Sequence, residues 1–247
     1  MQLITFSETR QWIKTSNHPF AKFLFSTIKR LINFDLPIPK FILKSIYFLY
    51  QTFNTIYSNI VRVFICTPIF KGRISSIGTS LNLYGGVPYI SGPVQIHIGN
   101  NCRVSGATTI SGRTASSSEP IMMVGNNVDI GWMTTIAVGS RVEIGNNVRI
   151  AGRALLAGYP GHPIAPKARA MGLPDNDSQV GDIILEDDVW LATGVSVMAG
   201  VHIGHGTIVA AGSVVTHDLP SMVLAGGCPA KIIRSISPKQ DIYGDNL

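Results

Sequence analysis

The sequence is short of cysteine, of acids near its start and of long unbroken apolar runs, and each shortage removes a class of protein. Its three cysteines, Cys66, Cys102 and Cys228, share no paired spacing. That excludes a disulfide framework and a zinc motif, and it suggests a reducing compartment. Cys102 and Cys228 read as small packing residues. Within the most apolar stretch, Lys44, Gln51, Asn54, Asn59 and Arg62 interrupt every window long enough to span a bilayer, which argues against a transmembrane helix. No apolar core precedes a small-residue cleavage site near Met1, so no signal peptide is expected.

What charge there is lies unevenly. Residues 1–73 hold ten Lys and Arg against two acids, Glu8 and Asp35, a net +8; residues 74–247 hold ten against twelve, a net −2. The basic part reads as helices. Asn17-His18-Pro19 starts one, with proline in the first turn, and Phe20, Leu24, Ile28 and Leu31 fall on one face. Asp35-Leu36-Pro37-Ile38-Pro39 breaks it. A longer helix follows to about Cys66, ahead of Pro68, with the stripe Ile42, Ile46, Leu49, Phe53, Ile56, Ile60 and Val63 opposite Lys44, Gln51, Thr55, Ser58 and Arg62. Residues 1–73 fit either a helical cap on the domain that follows or a segment lying on an anionic membrane surface. The coincidence of apolar bulk and positive charge favours the surface.

From Ile98 to Thr216 the chain repeats every six residues. Aliphatic residues recur at Ile98, Val104, Ile110, Val124, Ile130, Ile136, Ile144, Ile150, Leu156, Leu185, Leu191, Val197, Ile203, Val209 and Val215. A small residue usually follows, as at Gly99, Ser105, Gly125 and Ala137. This period fits neither an amphipathic helix nor a hairpin array. It marks a parallel β-helix, in which each hexapeptide is one short strand and a turn and three make one coil of a triangular prism. The fifteen hexapeptides make five coils, and weaker repeats at Ile77, Leu83 and Ile90 extend them to one more. Asn100-Asn101, Asn126-Asn127 and Asn146-Asn147 recur at corners, where positive φ is tolerated.

Four motifs stand in order within or beside this repeat: Gly161-His162-Pro163-Ile164 with a loop after it, Asp187-Asp188-Val189-Trp190-Leu191-Ala192, Ala211-Gly212-Ser213-Val214-Val215-Thr216, and Gly226-Gly227-Cys228-Pro229-Ala230-Lys231-Ile232-Ile233-Arg234. From about Ile74 to Arg234 the chain resembles the left-handed β-helix (hexapeptide-repeat) acyltransferase superfamily. The order is similar to sugar O-acetyltransferases of the maltose/galactoside type and to surface-polysaccharide acetyltransferases with extra N-terminal helices. The resemblance implies a mainly β fold, a left-handed parallel β-helix at 74–235 with a protruding loop at about 159–182, the helical segment 1–73, and a C-terminal tail at 236–247. It also implies a homotrimer whose sites form between neighbouring prisms.

Moving an acetyl group from a thioester to a hydroxyl needs a base, an oxyanion donor and a site that holds both substrates. In the family the His of Gly-His-Pro is the base, and it carries onto His162. The repeat breaks there, and Pro160, Pro163, Pro166, Gly172 and Pro174 make a protruding loop, the kind of segment that carries function on a rigid scaffold. For acetyl-CoA the motif matches are Trp190, Ala192, Thr193, Ala211, Thr216, His217, Lys231 and Arg234. Small residues let pantetheine approach the coils, and Lys231 and Arg234 suit the phosphates. His217 stands where the family commonly has lysine. Trp132, Met133 and Tyr159 are acceptor candidates; Gly131-Trp132-Met133 replaces the Asn that related sugar acetyltransferases place there. Asp129 and Glu143 are acids near the central coils, but neither matches a motif that orients the base. Metal is not expected. The distantly similar gamma-class carbonic anhydrases use a His pair at a different spacing, and His202 and His205 are three apart, which on a strand puts them on opposite faces.

The expected activity is acetyl-CoA-dependent O-acetylation of a saccharide, in cell-surface polysaccharide or glycolipid synthesis. The expected place is the cytoplasm, peripheral on the inner membrane face, with no nucleic-acid partner. A soluble xenobiotic acetyltransferase, a serine-type acetyltransferase and a non-catalytic scaffold are the alternatives. The first has little use for residues 1–73, the second has a larger and less apolar helical domain, and the third has no use for His162.

Overall fold

The computed structural model describes residues 6–237, so of the tail expected at 236–247 only Ile236 and Ser237 are among them. The chain divides into two compact units, Met1–Asn54 and Thr55–Leu247.

Helix α1 (Phe6–Thr15) packs on α2 (Pro19–Ile32). The start of α2 lies where the Asn-His-Pro sequence sets it: Pro19 occupies the first turn, and His18 Nδ1 accepts the Phe20 N–H at 3.2 Å. A capping acceptor here satisfies a donor that the helix leaves free. After the Pro37/Pro39 break, α3 covers Lys40–Val61 and has no buried residue. Its expected stripe from Ile42 to Val63 is exposed, and so are Tyr47, Phe48, Tyr50 and Tyr57 off that stripe. No helix among the described residues is long and apolar enough to cross a membrane.

Helical backbone does not stop ahead of Pro68. Arg62–Cys66 forms a π-helical turn, and α4 (Thr67–Lys71) begins with Pro68 in its first turn. The π turn shifts the bonding from i→i+4 to i→i+5. Pro68 then stands at the start of a new α register, where a missing N–H leaves no bond unmade. Continuation past Pro68 carries Phe70 into the hydrophobic cluster of the first coil, which also holds Cys66 of the π turn. Arg73 completes this cover by donating to the carbonyls of Val94 (3.2 Å) and Gly92 (3.0 Å).

The remainder is a left-handed parallel β-helix of six coils. Sheet A holds Ser76–Ile77, Gln95–Ile98, Ile121–Val124, Arg141–Ile144, Ile183–Leu185 and His202–Ile203. Sheet B holds Asn82–Tyr84, Arg103–Ser105, Asp129–Ile130, Arg149–Ile150, Trp190–Leu191 and Ile208–Val209, then the antiparallel pair Val223–Gly227 and Ala230–Ser235. Sheet C holds Tyr89–Ser91, Thr109–Gly112, Thr135–Val138, Leu155–Ala157, Ser196–Met198 and Val214–Val215. The aliphatic residues stack in register from coil to coil. Ile110, Ile136, Leu156, Val197 and Val215 form one such column, and all fifteen are buried. Each fully buried aliphatic side chain contributes about 1.5–3 kcal/mol.

The corner from sheet A to sheet B explains both the small residues and the asparagines. Ser80, Asn101, Asn127, Asn147 and Asp188 turn the chain there with φ of 56–61°. One residue earlier runs a side-chain ladder. Asn126 Oδ1 accepts the Asn100 N–H (2.8 Å), Asn146 Oδ1 the Asn126 N–H (2.9 Å), and Asp187 Oδ1 the Asn146 N–H (2.6 Å). Just before it, a Cβ on Gly125 would stand 2.8 Å from the Gly145 backbone of the next coil, so the coils stack closely only with small residues there. The Asn146 main-chain and side-chain donors hold the Asp187 carboxyl below its ordinary value. A lowered folded-state pKa adds stability above the unfolded-state pKa, and that contribution is lost as pH falls through the folded one. Asp187→Ala is therefore expected to lower the Tm at neutral pH, with the gap from wild type closing in titrations taken below the ordinary carboxylate range. A gap independent of pH would count against this source of stability.

Candidate functional site

Two insertions project from the corner where sheet C passes to sheet A. One, residues 113–120, follows Thr109–Gly112. The other, residues 158–182, follows Leu155–Ala157 two coils later and carries His162 together with the short helix α5 (Pro166–Ala170). Between them, the intermediate coil turns at Gly139-Ser140. Ser116 Oγ donates to the Gly139 carbonyl at 3.1 Å, and Ser140 bonds Asp182.

The loop around His162 is tied down on both sides of an exposed imidazole. Ahead of it, the Tyr159 hydroxyl bonds Ser111 Oγ at 3.0 Å, and the Gly161 N–H donates to Asp175 Oδ2 at 3.0 Å. Gly161 has φ +77°, a conformation that glycine adopts without a steric cost. Behind it, Pro163 is buried, and Arg169 Nη1 donates to the carbonyls of Pro163 (3.1 Å) and Ile164 (2.9 Å). Asp175 is itself gripped by Arg113. Nε reaches Asp175 Oδ1 at 2.6 Å, Nη2 the Asp175 carbonyl at 3.0 Å, and Nη1 reaches Asp177 Oδ1 at 2.7 Å. Arg113 and Asp175 are 5% and 6% exposed, a buried ion pair. The hydrogen bond of Asp175, against the opposing effect of burial, raises the pKa of the Arg113 guanidinium.

The other expected site residues fall at different places on the prism. Trp132 and Met133 occupy the corner from sheet B to sheet C, not the corner of His162 and Tyr159. There they share one column with Gly152-Arg153, Thr193-Gly194 and Ala211-Gly212: the N–H groups of Arg153, Gly194 and Gly212 bond the carbonyls of Trp132, Gly152 and Thr193 at 2.8, 3.1 and 2.9 Å. Ala192 precedes Thr193 on this corner. The half-exposed Trp132 ring lies 5.1 Å below the Arg153 guanidinium. Thr216 and His217 are on the His162 corner two coils on, with Thr216 Oγ1 2.9 Å from His217 Nδ1. Trp190 is exposed on sheet B, in a recess with Asp188, His205 and Met222. Lys231 and Arg234 are exposed on the terminal antiparallel strand, opposite Gly226 and Leu224. One prism thus distributes the donor candidates over sheet B and both edges of sheet C.

Asp129 pairs with Arg103 (3.3 Å) and Glu143 with Arg141 (2.7 Å), on sheets B and A. His202 and His205 face Glu186 (2.8 Å) and Asp188 (3.4 Å). No group of three or more metal-binding side chains occurs among the described residues. Sequence reasoning missed Arg113, Asp175 and Asp177. The available signal was Arg113-Thr114-Ala115-Ser116-Ser117-Ser118-Glu119, an interruption of the six-residue period that opens on an arginine.

These features define a hexapeptide-repeat β-helix with an ordered loop bearing an exposed histidine. Residues 182–217 match the family described as bacterial transferase hexapeptide (six repeats). It is 39% identical over 116 residues to a protein of Saccharomyces cerevisiae, covering 47% of this chain and 57% of that one. It is 40% identical over 76 residues to the galactoside O-acetyltransferase of Lactococcus lactis, covering 31% and 35%. A 2,3,4,5-tetrahydropyridine-2,6-dicarboxylate N-acetyltransferase of Clostridium perfringens is 50% identical over 56 residues, covering 23% and 24%. The chain thus spans between 24% and 57% of the length of these relatives. Its fold is similar to that of the N-acyltransferase AntD from Bacillus cereus, solved in complex with dTDP and 3-hydroxybutyryl-CoA. The TM-score is 0.56 at 20% identity, over 70% of this chain and 89% of that one.

Proposed function

We propose that the protein is an acetyl-CoA-dependent O-acetyltransferase whose acceptor is a saccharide of a cell-surface polysaccharide or glycolipid. The observation that carries this reading is the exposed imidazole of His162 on a loop held from both sides. A general base works only when fixed within reach of the proton it removes. The galactoside O-acetyltransferase relative supports the sugar acceptor.

In this reading both substrates are bound together and transfer is direct. His162 takes the proton of the acceptor hydroxyl as its oxygen attacks the thioester carbonyl carbon. The tetrahedral intermediate collapses, the carbon–sulfur bond breaks, and the imidazolium returns the proton to the departing thiolate. The active unit is a homotrimer in which the B-to-C corner of one prism faces the C-to-A corner of its neighbour. That arrangement would bring Trp132, Met133, Ala192, Thr193 and Ala211 towards His162, Tyr159, Thr216 and His217. On sheet C between the two corners the outward column Ser111, Ala137 and Ala157 is made of small side chains, which permit close approach there. The basic, apolar-surfaced helices hold the enzyme peripherally at the inner face of the cytoplasmic membrane, near a lipid-linked acceptor.

The test is thiol release from acetyl-CoA across a panel of saccharides, with mild alkali removing the acetyl from the product as it does from an ester and not from an amide. Release that no saccharide stimulates would overturn the reading. Lys231 and Arg234 are assigned to the phosphates at the remote end of the donor. Replacing both by alanine is expected to raise the KM for acetyl-CoA more than it lowers kcat, because that end is bound alike in ground and transition states. A change confined to acceptor kinetics would place the donor elsewhere on the prism.

A further inference from the structure

Residues 159–182 have no core of their own: only Pro163 and Asp175 are buried among them. An aliphatic prism has no need of a buried arginine, yet Arg113 is 5% exposed, and its partner Asp175 lies 62 positions along the chain. A buried ion pair of this kind is a weak source of stability, because desolvation offsets the Coulomb attraction; its best-attested use is to select one conformation. Here it joins two insertions that rise from coils two apart at the same corner. The guanidinium uses Nε, Nη1 and Nη2 on three oxygens of Asp175 and Asp177, while the remaining Asp175 carboxylate oxygen takes the N–H of the residue immediately before His162. The hydrogen-bonded path from the scaffold to the base is therefore Arg113, Asp175, Gly161, His162.

We propose that Arg113 and Asp175 are positioning residues that hold His162 in its working geometry. This rests on the reading of His162 as the base. Arg113 touches no substrate in this arrangement and acts only through the loop. The hydrogen bond of Asp175 raises the pKa of the Arg113 guanidinium, so the arginine side of the clamp stays charged. The coil-to-coil bonds of the prism are main-chain bonds, the Arg113 N–H to the Val138 carbonyl (3.0 Å) among them, and do not use the paired side chains, so a broken clamp frees the loop and leaves the scaffold standing.

The experiment compares Arg113→Met, Arg113→Lys and Asp175→Asn with wild type and His162→Ala in the full chain. The readouts are steady-state kinetics, thermal unfolding and backbone amide exchange over residues 159–182. Arg113→Met is expected to lower kcat by roughly 10- to 100-fold, the scale of a base displaced by about an ångström. The KM for acetyl-CoA should stay within about threefold, and amides of 159–182 should exchange faster while those of the coils do not. Arg113→Lys, which keeps the charge but not the three-pronged donor geometry, should recover part of kcat. If Arg113→Met fails to fold, Asp175→Asn carries the test, since it keeps an acceptor of similar shape and removes the charge. Wild-type kcat in whichever variant folds overturns the proposal, as does a loss of kcat with unchanged loop exchange or a loss that only tracks the folded fraction. Full activity in His162→Ala would instead remove the base reading, while the exchange result would still decide whether the clamp orders the loop.

Discussion

Replacing His162 by alanine is expected to lower turnover by about two to four orders of magnitude, the usual contribution of a positioned general base. The prism should be unaffected, because His162 is exposed and outside every coil. Acetyl-CoA affinity should be nearly unchanged, because the residues assigned to the donor phosphates lie on the terminal strand of sheet B. The effect should thus fall on kcat and on kcat/KM alike, the pattern of an interaction made only in the transition state. Equilibrium binding of CoA by calorimetry separates this from a damaged donor site. Turnover within about threefold of wild type would remove His162 from the chemistry, and the loop would then need another role.

The second large effect is structural. Phe70 is wholly buried at the open end of the first coil, in one cluster with Cys66, Val94 and Ile96. Phe70→Ala is expected to cost about 3–5 kcal/mol, the range for a buried phenyl ring whose cavity does not collapse, read from denaturant unfolding. A cost below about 1 kcal/mol would mean that the ring does not seal the coil. Truncations extend the same argument. Removing residues 1–54 leaves α4 in place, so the prism should still unfold cooperatively and acetylate a soluble acceptor. Removing residues 1–70 strips the seal and should cause aggregation, since repeat folds need covered ends. The shorter truncation should also abolish flotation with anionic vesicles at low salt. If the full chain itself does not float, residues 1–54 have no membrane role.

The repeat was legible because a β-helix is written in local sequence. Ile98, Val104 and Ile110 point inward for the same reason as their counterparts one coil later, and a one-residue slip would turn each to solvent. The start of α2 was legible through His18-Pro19 for an equally local reason. Pro68 misled because its effect depends on a π turn that lets helical backbone pass it, and burial of Phe70 is what favours that passage. Asp129 and Glu143 were visible as acids near the central coils, but only the folded structure shows that arginines occupy both. The split of Trp132 from Tyr159 between two corners could not be read either. Residue position within a six-residue period says how a side chain faces its own sheet, and says nothing of which residues a second prism would bring to it.

The sequence by itself determined the six coils, the inward columns, the asparagine corner and the place of the protruding loop. These follow from a six-residue periodicity, whose contacts repeat at every coil and need no knowledge of distant chain. The tertiary structure alone decided that Arg113 reaches Asp175, that the pair holds Gly161 beside His162, and that the donor candidates are spread over sheet B and both edges of sheet C. Those relations join insertions that break the period. Their meeting depends on which corner each leaves and how far the coils have advanced between them, and that distance exists only once the prism is wound.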